Sequence, residues 1–179
     1  MTEQGYLGLG SNQGDRRGQL EAAAEALEAA GLGVLSSSSV YETEPVGEIL
    51  DQPRFLNACL RIETDQEPEE LFDTCKAVER RLGRLPGGPR QGPRPIDIDI
   101  LLLGERSHAS PRLHIPHPAL LERRFVLIPM LELDFGARTP DGVALSDALA
   151  HLPVADQEVD LAGPPLLGRM APGAGAHQP

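Results

Sequence analysis

The run Ile96-Asp97-Ile98-Asp99-Ile100 constrains the fold of this chain most sharply, because isoleucine and aspartate alternate with a period of two. Successive side chains of a β-strand point to opposite faces, so the isoleucines face a core and the two aspartates emerge together on the other face. Their Cα atoms then lie roughly 6 to 7 Å apart. The run predicts a strand over 96–103 that carries two carboxylates in one small volume.

Apolar periodicity predicts the other elements of the chain. Strands are predicted over 6–10, 34–44 and 55–64, with an extended piece over 112–115, and helices over 15–31, 68–82, 125–133 and 146–151. The order strand, helix, strand, strand, helix, strand matches a ferredoxin-like split βαβ arrangement. We therefore predict an α+β fold, a mainly antiparallel sheet with helices packed on one of its faces.

The length of 179 residues fits one compact domain with a core of its own. From residue 163 onward the chain is mostly Gly, Pro and Ala, which bury too little apolar surface to offset the entropy of ordering. We predict a single domain over residues 1–160 and a disordered tail over residues 161–179.

The formal net charge of −11 argues against general affinity for nucleic acid or anionic membranes, since both require a positive field. No window approaches the roughly 18 apolar residues of a membrane span, and Met1–Gly5 carries no export or import signal. Cys59 and Cys75 lack metal-ligand spacing and suit a reducing compartment. These features predict a cytoplasmic protein, with a monomer as the default state.

A basic segment precedes the acidic strand. Residues 80–94 hold five arginines and no acidic residue, and residues 84–95, here called the arginine loop, contain four prolines and three glycines. Two carboxylates in one volume repel each other unless a cation lies between them, and Mg²⁺ favours such a site together with substrate phosphates. The acidic pair and the arginine loop together favour phosphoryl transfer as the function of the site. A solvated acidic face and a solvated basic loop are the plain alternatives.

Three further motifs carry weaker signals. Phe55 and Asn57 share the face of their strand opposite the aliphatic stripe, which suits a flat heterocycle with a mixed donor and acceptor edge, or simple surface packing. The segment 8–15 lacks the third glycine of a dinucleotide-binding turn and is explained by a tight turn. His114 and His117 have no further Cys or His at zinc-binding spacing.

In this order, the motifs resemble the 6-hydroxymethyl-7,8-dihydropterin pyrophosphokinase (HPPK) family. The matching segments are GLGSNQGDR at 8–16, SVYETEPVG at 39–47, QPRFLNA at 52–58, ERRLGR at 79–84, GPRPIDIDILLLG at 92–104 and LHIPHPALLERRFVLIPMLEL at 113–133. The combination of PRxIDxDIL with the following IPHP is far more specific than any single motif. The resemblance implies the split βαβ fold and transfer of diphosphate from ATP to the hydroxymethyl group of a reduced pterin, with release of AMP, in folate biosynthesis.

The resemblance also implies roles for individual residues. Asp97 and Asp99 would hold two Mg²⁺ ions that bridge the phosphates of ATP, and Arg84 and Arg94 would act as the catalytic arginines that close over the triphosphate. The residues implied to bind the pterin are Thr43, Pro45, Val46, Phe55, Asn57 and Phe125. Those implied to bind ATP are Glu79, Arg84, Arg94, Ile100, Arg112, His114, His117 and Arg123.

The chain departs from the family pattern at four positions, which are Lys76, Pro86, Gln91 and Pro95. Tryptophan is frequent in the family at the position of Gln91. None of the four departures removes an implied metal ligand or catalytic arginine, so they predict altered loop closure rather than lost activity. Two other functions fit single motifs: a metal-dependent nucleotide-sugar transferase, since DxD pairs hold metal-bound diphosphates, and a non-enzymatic ferredoxin-like ligand-binding domain.

Overall fold

The computed structural model describes residues 1–88, 91–155 and 157–167. The strands are β1 (Glu3–Ser11), β2 (Gly33–Ser37), β3 (Val40–Thr43), β4 (Phe55–Thr64), β5 (Asp97–Leu103), β6 (His108–Ala109), β7 (His114–Ile115) and β8 (Val159–Gly163). The helices are α1 (Arg16–Ala29), α2 (Pro68–Arg81), α3 (Arg124–Leu133) and α4 (Leu145–His151), with a 3-10 turn at Leu120–Glu122. Among these described residues no helix is long and apolar enough to cross a bilayer.

Local chemistry fixes where the first two helices begin. Asp15 accepts a hydrogen bond from the backbone N–H of Gly18 at 3.0 Å, so its carboxylate caps α1. Pro68 occupies the first turn of α2, where its missing N–H costs nothing, and Glu70 accepts from the backbone N–H of Glu67 at 3.0 Å. Helix α1 connects β1 to β2, and α2 connects β4 to β5.

The main sheet has the order β5-β1-β4-β3-β8, with β2 also paired to β4, and every pairing is antiparallel. Helix α1 carries the chain from β1 past the position of β4 to β2, and α2 carries it from β4 past β1 to β5. This interleaving is the split βαβ arrangement, and it confirms the predicted α+β class. As a result β1 lies between β4 and β5, and β4 is the central strand of the sheet.

Helices cover both faces of the sheet rather than the one face that was predicted. Helices α1 and α2 pack on one face, in a core that includes Leu27, Leu60 and the three isoleucines of the acidic strand. Helices α3 and α4 pack on the other face around residues such as Cys59 and Leu127. The alternation in β4 predicts one core face and one outward face. In the structure Phe55, Asn57 and Cys59, which lie on that second face, are all buried as well.

Two element boundaries differ from the prediction. The strand predicted over 34–44 divides into β2 and β3 at Ser38, whose hydroxyl accepts from the backbone N–H of Cys59 at 2.8 Å in place of a regular ladder bond. At the other end, β8 runs past the predicted domain boundary at residue 160 because it pairs with β3, and Leu166 and Leu167 pack against the first core. Arg90 and residues 168–179 of the predicted tail lie outside the described residues.

Candidate active site

Two strand glycines form the floor of the candidate site. In the sheet register Gly10 lies opposite Asp97 on β5 and opposite Asn57 on β4, and Gly8 lies opposite Asp99. A Cβ atom added at Gly10 would lie 3.0 Å from the Asn57 side-chain oxygen. Glycine inside a strand weakens it and marks a place where another group approaches closely. The sheet therefore has an open floor between the carboxylates on one side and Asn57 on the other.

A concave pocket lies above this floor and joins the residues implied to bind the pterin to the acidic pair. Asn57 is fixed within it, because its side-chain amide donates to the hydroxyl of Thr43 at 2.6 Å. Aromatic rings enter from β4 and α3, and the lining includes Thr43, Val46, Phe55, Asn57, Phe125, Asp97, Asp99, Arg94 and Arg123. Pro45 is half-buried and does not line this pocket.

A second, more open cleft adjoins the pocket and is strongly cationic. Its basic lining comes from the last turns of α2 and from the arginine loop, namely Lys76, Arg80, Arg84 and Arg94. Arg94 lines both the cleft and the pocket. Such a cleft suits a polyanion such as a triphosphate, and Arg94, which it shares with the pocket, pairs with Asp97 on the acidic strand.

Asp97 is held between the two arginines that the resemblance marks as catalytic. Arg84 Nη1 lies 2.5 Å from one carboxylate oxygen and Arg94 Nη2 lies 3.1 Å from the other. Burial alone would raise the pKa of Asp97, but the charges of Arg94 and Arg84 outweigh it, and the pKa lies below its ordinary value. Asp97 is therefore ionised at neutral pH, with its charge balanced by two guanidinium groups.

Asp99 has no such balance. Burial and the neighbouring charge of Asp97 raise the pKa of Asp99 to about 7. Among the described residues no arginine or lysine nitrogen lies within 4.0 Å of its carboxylate, and the nearest basic group is His117 Nε2, at 4.0 Å. Burial, followed by the charge of Arg123, lowers the pKa of His117, so this ring is neutral near pH 7. A carboxylate of this kind is a suitable ligand for an added cation.

Glu79 is a buried carboxylate that contacts the acidic strand and two basic side chains of the site. It is 3% exposed, and one carboxylate oxygen accepts from the backbone N–H of Ile98 at 2.7 Å, from Lys76 at 2.9 Å and from Arg84 at 3.0 Å. The carboxylate thus joins α2 to β5 between the two aspartates and orients Arg84. In the ligand-free chain Glu79 is a buried positioning group, and direct contact with ATP remains a prediction for it.

The other residues implied to bind ATP are more scattered. Ile100 is 4% exposed in the core, so it can offer a ligand little more than backbone atoms. Arg112 pairs with Asp73 and stacks over Phe72, which ties it to α2, while His114 is exposed on β7. Neither Arg112 nor His114 lines the pocket or the cleft as the described residues form them.

Three contributors were not assigned to the site from sequence. Gly8 and Gly10 were interpreted as part of a tight turn, although glycines inside a predicted strand already signal a close approach. Gln91 was noted only as a departure, and it lines the pocket beside Val46. No local pattern signals the position of Gln91, because its neighbours there come from a loop some 40 residues earlier.

Fold and site together define an α+β protein in which a pocket that contains two aromatic rings and two carboxylates adjoins a cationic cleft. Residues 6–135 match the family described as 7,8-dihydro-6-hydroxymethylpterin-pyrophosphokinase (HPPK). The chain belongs to this family.

Named relatives fall into two groups by length. The 2-amino-4-hydroxy-6-hydroxymethyldihydropteridine pyrophosphokinase of Pseudomonas aeruginosa is 39% identical over 86% of this chain and 94% of its own length. The Bacillus subtilis protein of the same name is 42% identical over 74% of this chain and 79% of its own length. A folate synthesis bifunctional protein of Arabidopsis thaliana is 44% identical over 73% of this chain, and the chain spans only 27% of that relative.

Solved structures support the fold. A crystal structure described as HPPK-DHPS in complex with substrates superposes with a TM-score of 0.64 at 13% identity, over 83% of this chain and 43% of that one. At this identity the likeness shows the shared fold alone. Neither the nucleotide-sugar transferase nor the non-enzymatic alternative is favoured by the family match.

Proposed function

We propose that this protein transfers the diphosphate group of ATP to the hydroxymethyl group of 6-hydroxymethyl-7,8-dihydropterin and releases AMP, a step of folate biosynthesis. One observation carries the proposal: an aromatic pocket that contains two carboxylates on one face of β5 adjoins a cationic cleft at Arg94, which pairs with Asp97. The pocket suits the flat pterin ring, the cleft suits the triphosphate, and relatives that match along most of their length are named pyrophosphokinases.

Asp97 and Asp99 are the residues that would hold magnesium, with two ions expected from the family resemblance. The donor set fits, because hard oxygen ligands on one strand face suit Mg²⁺ and the Asp99 charge lacks an arginine or lysine partner within 4.0 Å among the described residues. Bound magnesium would neutralise phosphate charge and hold the triphosphate in register for attack. The described residues contain no cluster of three or more acidic, His or Cys ligands, so phosphate oxygens and water would complete the coordination.

The arginines of the site change partners in this proposal. In the ligand-free chain Arg84 and Arg94 neutralise Asp97. When the triphosphate enters the cleft, their guanidinium groups bind its oxygens and leave Asp97 free to act as a ligand. A guanidinium fork matches phosphate geometry and stabilises the negative charge that develops during transfer.

The pocket side orients the attacking group. Phe55 and Phe125 hold the pterin ring by stacking, and the Asn57 side-chain oxygen faces the ring edge while its amide stays bonded to Thr43. The hydroxymethyl oxygen of the pterin then forms a bond to the β-phosphorus, and the bond between that phosphorus and the oxygen bridging to the α-phosphorus breaks. AMP leaves with the electron pair, and the hydroxyl proton passes to solvent.

The setting proposed for this chemistry is a monomer in the cytoplasm that acts on small molecules. Both cysteines are free and buried, which suits a reducing compartment. The acidic net charge does not favour nucleic acid or anionic membranes as partners. Sedimentation of the purified protein would check the oligomeric state.

Product identity tests the proposal. Incubation with ATP, Mg²⁺ and 6-hydroxymethyl-7,8-dihydropterin is expected to yield AMP and the pterin diphosphate in equal amounts, measured by anion-exchange chromatography. Formation of ADP, or no consumption of ATP, would contradict the proposed reaction. A UDP-sugar serves as the control ligand, and it is expected to leave the thermal midpoint unchanged where ATP with Mg²⁺ raises it.

A further inference from the structure

We propose that Gln91 is a positioning residue that ties the pocket side of the site to the arginine side, an inference that rests on the proposed function. Two loop segments flank the pocket: residues 44–54, here called the β3–β4 loop, and residues 91–95 at the end of the arginine loop. Gln91, the first residue of the second segment, lines the pocket. It contacts the β3–β4 loop through both its side chain and its backbone.

The contacts of Gln91 are specific hydrogen bonds. Its side-chain oxygen accepts from the backbone N–H of Glu48 at 3.0 Å, and its backbone oxygen accepts from the side-chain amide of Gln52 at 2.8 Å. Gln91 has a φ of 63°, in the left-handed region that few residues other than glycine adopt. The side-chain and backbone carbonyl groups of Gln91 both accept hydrogen bonds from the β3–β4 loop, and these bonds offset the cost of that conformation.

Gly47 leaves the room that the Gln91 side chain needs. A Cβ atom at position 47 would lie 2.2 Å from the Gln91 side-chain oxygen, so any side chain there would displace it. Gly47 also has a φ of 124°, which favours glycine for its backbone. The β3–β4 loop is therefore shaped to receive Gln91.

From Gln52 the contacts continue to a catalytic arginine. The Gln52 side-chain oxygen accepts from the amide of Asn12 at 2.9 Å. Asn12, 2% exposed, accepts from the backbone N–H of Arg94 at 2.9 Å, and its own backbone N–H donates to the Arg94 carbonyl at 3.2 Å. A continuous series of hydrogen bonds thus runs from Glu48 through Gln91, Gln52 and Asn12 to the backbone of Arg94.

This series determines where the Arg94 guanidinium can reach. Arg94 lies with its Cζ atom 5.1 Å from the centre of the Phe55 ring and pairs with Asp97 at 3.1 Å, so a shift of its backbone moves a charge at the junction of pocket and cleft. The same hydrogen bonds therefore connect the β3–β4 loop, which forms a wall of the pocket, to the backbone that carries the Arg94 guanidinium. Loss of the Gln91 side-chain acceptor removes the bond from Glu48 and is expected to loosen the pocket wall, while the bond that the Gln91 backbone oxygen accepts from Gln52 remains.

A matched pair of variants tests the role of Gln91. Gln91→Met keeps the length of the side chain and the backbone demand but removes the acceptor, whereas Gln91→Glu keeps an acceptor oxygen in the same place. In Gln91→Met, kcat/KM for the pterin is expected to fall about fivefold to tenfold, the size expected for one net hydrogen bond, with KM for ATP within twofold. Gln91→Glu is expected to stay within about twofold of the wild type.

Hydrogen exchange of the ligand-free protein tests the contact without reference to activity. The Glu48 amide is expected to exchange about tenfold faster in Gln91→Met and at the wild-type rate in Gln91→Glu. Unchanged exchange at Glu48 in Gln91→Met would overturn the inference. Faster exchange with unchanged kinetics would leave a purely structural contact and would equally overturn the positioning role.

The two proposals can fail separately. A wild-type protein that forms no AMP contradicts the proposed function and, with it, the positioning role of Gln91, whereas the exchange rates still decide whether Gln91 holds the β3–β4 loop. A wild-type protein that forms AMP, combined with equal kinetics for Gln91→Met and Gln91→Glu, contradicts the inference about Gln91 alone.

Discussion

The pocket and the cleft of this protein adjoin at Arg94 but are built from different parts of the chain. The pocket is formed by regular elements: Asn57 lies on the central strand β4, held by Thr43 of β3, and Phe125 lies on α3. The basic side chains of the cleft come from the end of α2 and from a loop, and Arg84 and Arg94 are satisfied by Asp97 while no ligand is present.

This difference follows from the chemistry of the two ligands. A neutral flat ring is recognised by shape and by a few hydrogen bonds, which rigid strands and helices place accurately. A triphosphate brings several charges that must be neutralised as they arrive, and arginines on a loop can exchange one partner for another. Four predictions test whether the two regions divide the work in this way and whether they meet at Asp97.

The largest effect is expected at the junction itself. Asp97→Asn keeps the shape of the side chain but removes the charge that would hold magnesium and that pairs with both arginines. The rate of AMP formation is expected to fall about 10³-fold, since metal and electrostatic stabilisation together contribute several kcal/mol. The exposed Asp65→Asn is the matched control. More than a tenth of wild-type turnover in Asp97→Asn would mean that the two regions do not meet there.

The two arginines separate the cleft from the junction. Arg84→Ala and Arg94→Ala are each expected to lower kcat about 10²-fold, because each removes a donor to the developing phosphate charge. Only Arg94→Ala is expected to raise KM for the pterin as well, since Arg94 alone of the two lines the pocket and lies 5.1 Å from the Phe55 ring. Steady-state kinetics with each substrate varied will show the split. An equal rise in pterin KM for both variants would remove the distinction.

A smaller effect is expected from filling the pocket floor. Gly10→Ala places a methyl group 3.0 Å from the Asn57 side-chain oxygen, on the face that receives the pterin. KM for the pterin is expected to rise about tenfold, the discrimination typical of one methyl group in a shaped pocket, while KM for ATP stays the same. Gly136→Ala, far from the site and with only an ordinary 3.5 Å contact, is the matched control. A rise in both KM values would show that the floor serves the two regions jointly.

The smallest effect concerns pH and the ligand-free protein. Asp99 has a pKa of about 7 in the fold and an ordinary value of 3.8, so the folded chain holds this proton more tightly than the unfolded chain. Its contribution to stability is therefore fully present below pH 3.8 and is lost as the pH rises through 7. Since 36% of the side chain is exposed, solvent screening limits this contribution to about 1 kcal/mol.

Thermal unfolding checks that sign. Between pH 5 and pH 8, without magnesium, the Tm of the wild type is expected to fall by about 2 to 4 °C more than that of Asp99→Asn, which cannot ionise at this position. Added Mg²⁺ is expected to stabilise the wild type more at pH 8 than at pH 6, because the proton and the metal compete for one carboxylate. Parallel pH curves for the two proteins would contradict the assignment of this titration to Asp99.

The sequence was most informative where the side-chain pattern of a single strand was enough to predict which residues are buried. Alternation in residues 96–100 correctly placed three isoleucines in the core and both aspartates on the opposite face, because a strand has only two faces. The Pro/Gly content of the arginine loop likewise predicts the absence of regular structure, and its described residues, 84–88 and 91–95, belong to no helix or strand. The family resemblance added the pocket residues, and the structure brings most of them into one cavity.

What could not be predicted depended on packing between distant segments. Phe55 and Asn57 are buried on the second face of the sheet, where α3 packs against β4, and a period-two pattern in β4 does not reveal that cover. The link from Gln91 to Glu48 joins two loops through a side chain with no periodic signal. Arg112 stays a predicted ATP ligand, and its pairing with Asp73 has no signal in the sequence, because that pairing depends on which acidic neighbours the fold supplies.

The central claim is that one pair of carboxylates joins the two regions through bound metal. A crystal structure with a non-hydrolysable ATP analogue, Mg²⁺ and the hydroxymethyl pterin tests it most directly. We expect Asp97 and Asp99 to ligate magnesium, Arg84 and Arg94 to bind phosphate oxygens instead of Asp97, and the pterin hydroxyl to lie in line with the β-phosphorus at about 3 to 3.5 Å. Metal bound elsewhere, or a pterin outside the space between Phe55 and Phe125, would contradict the account.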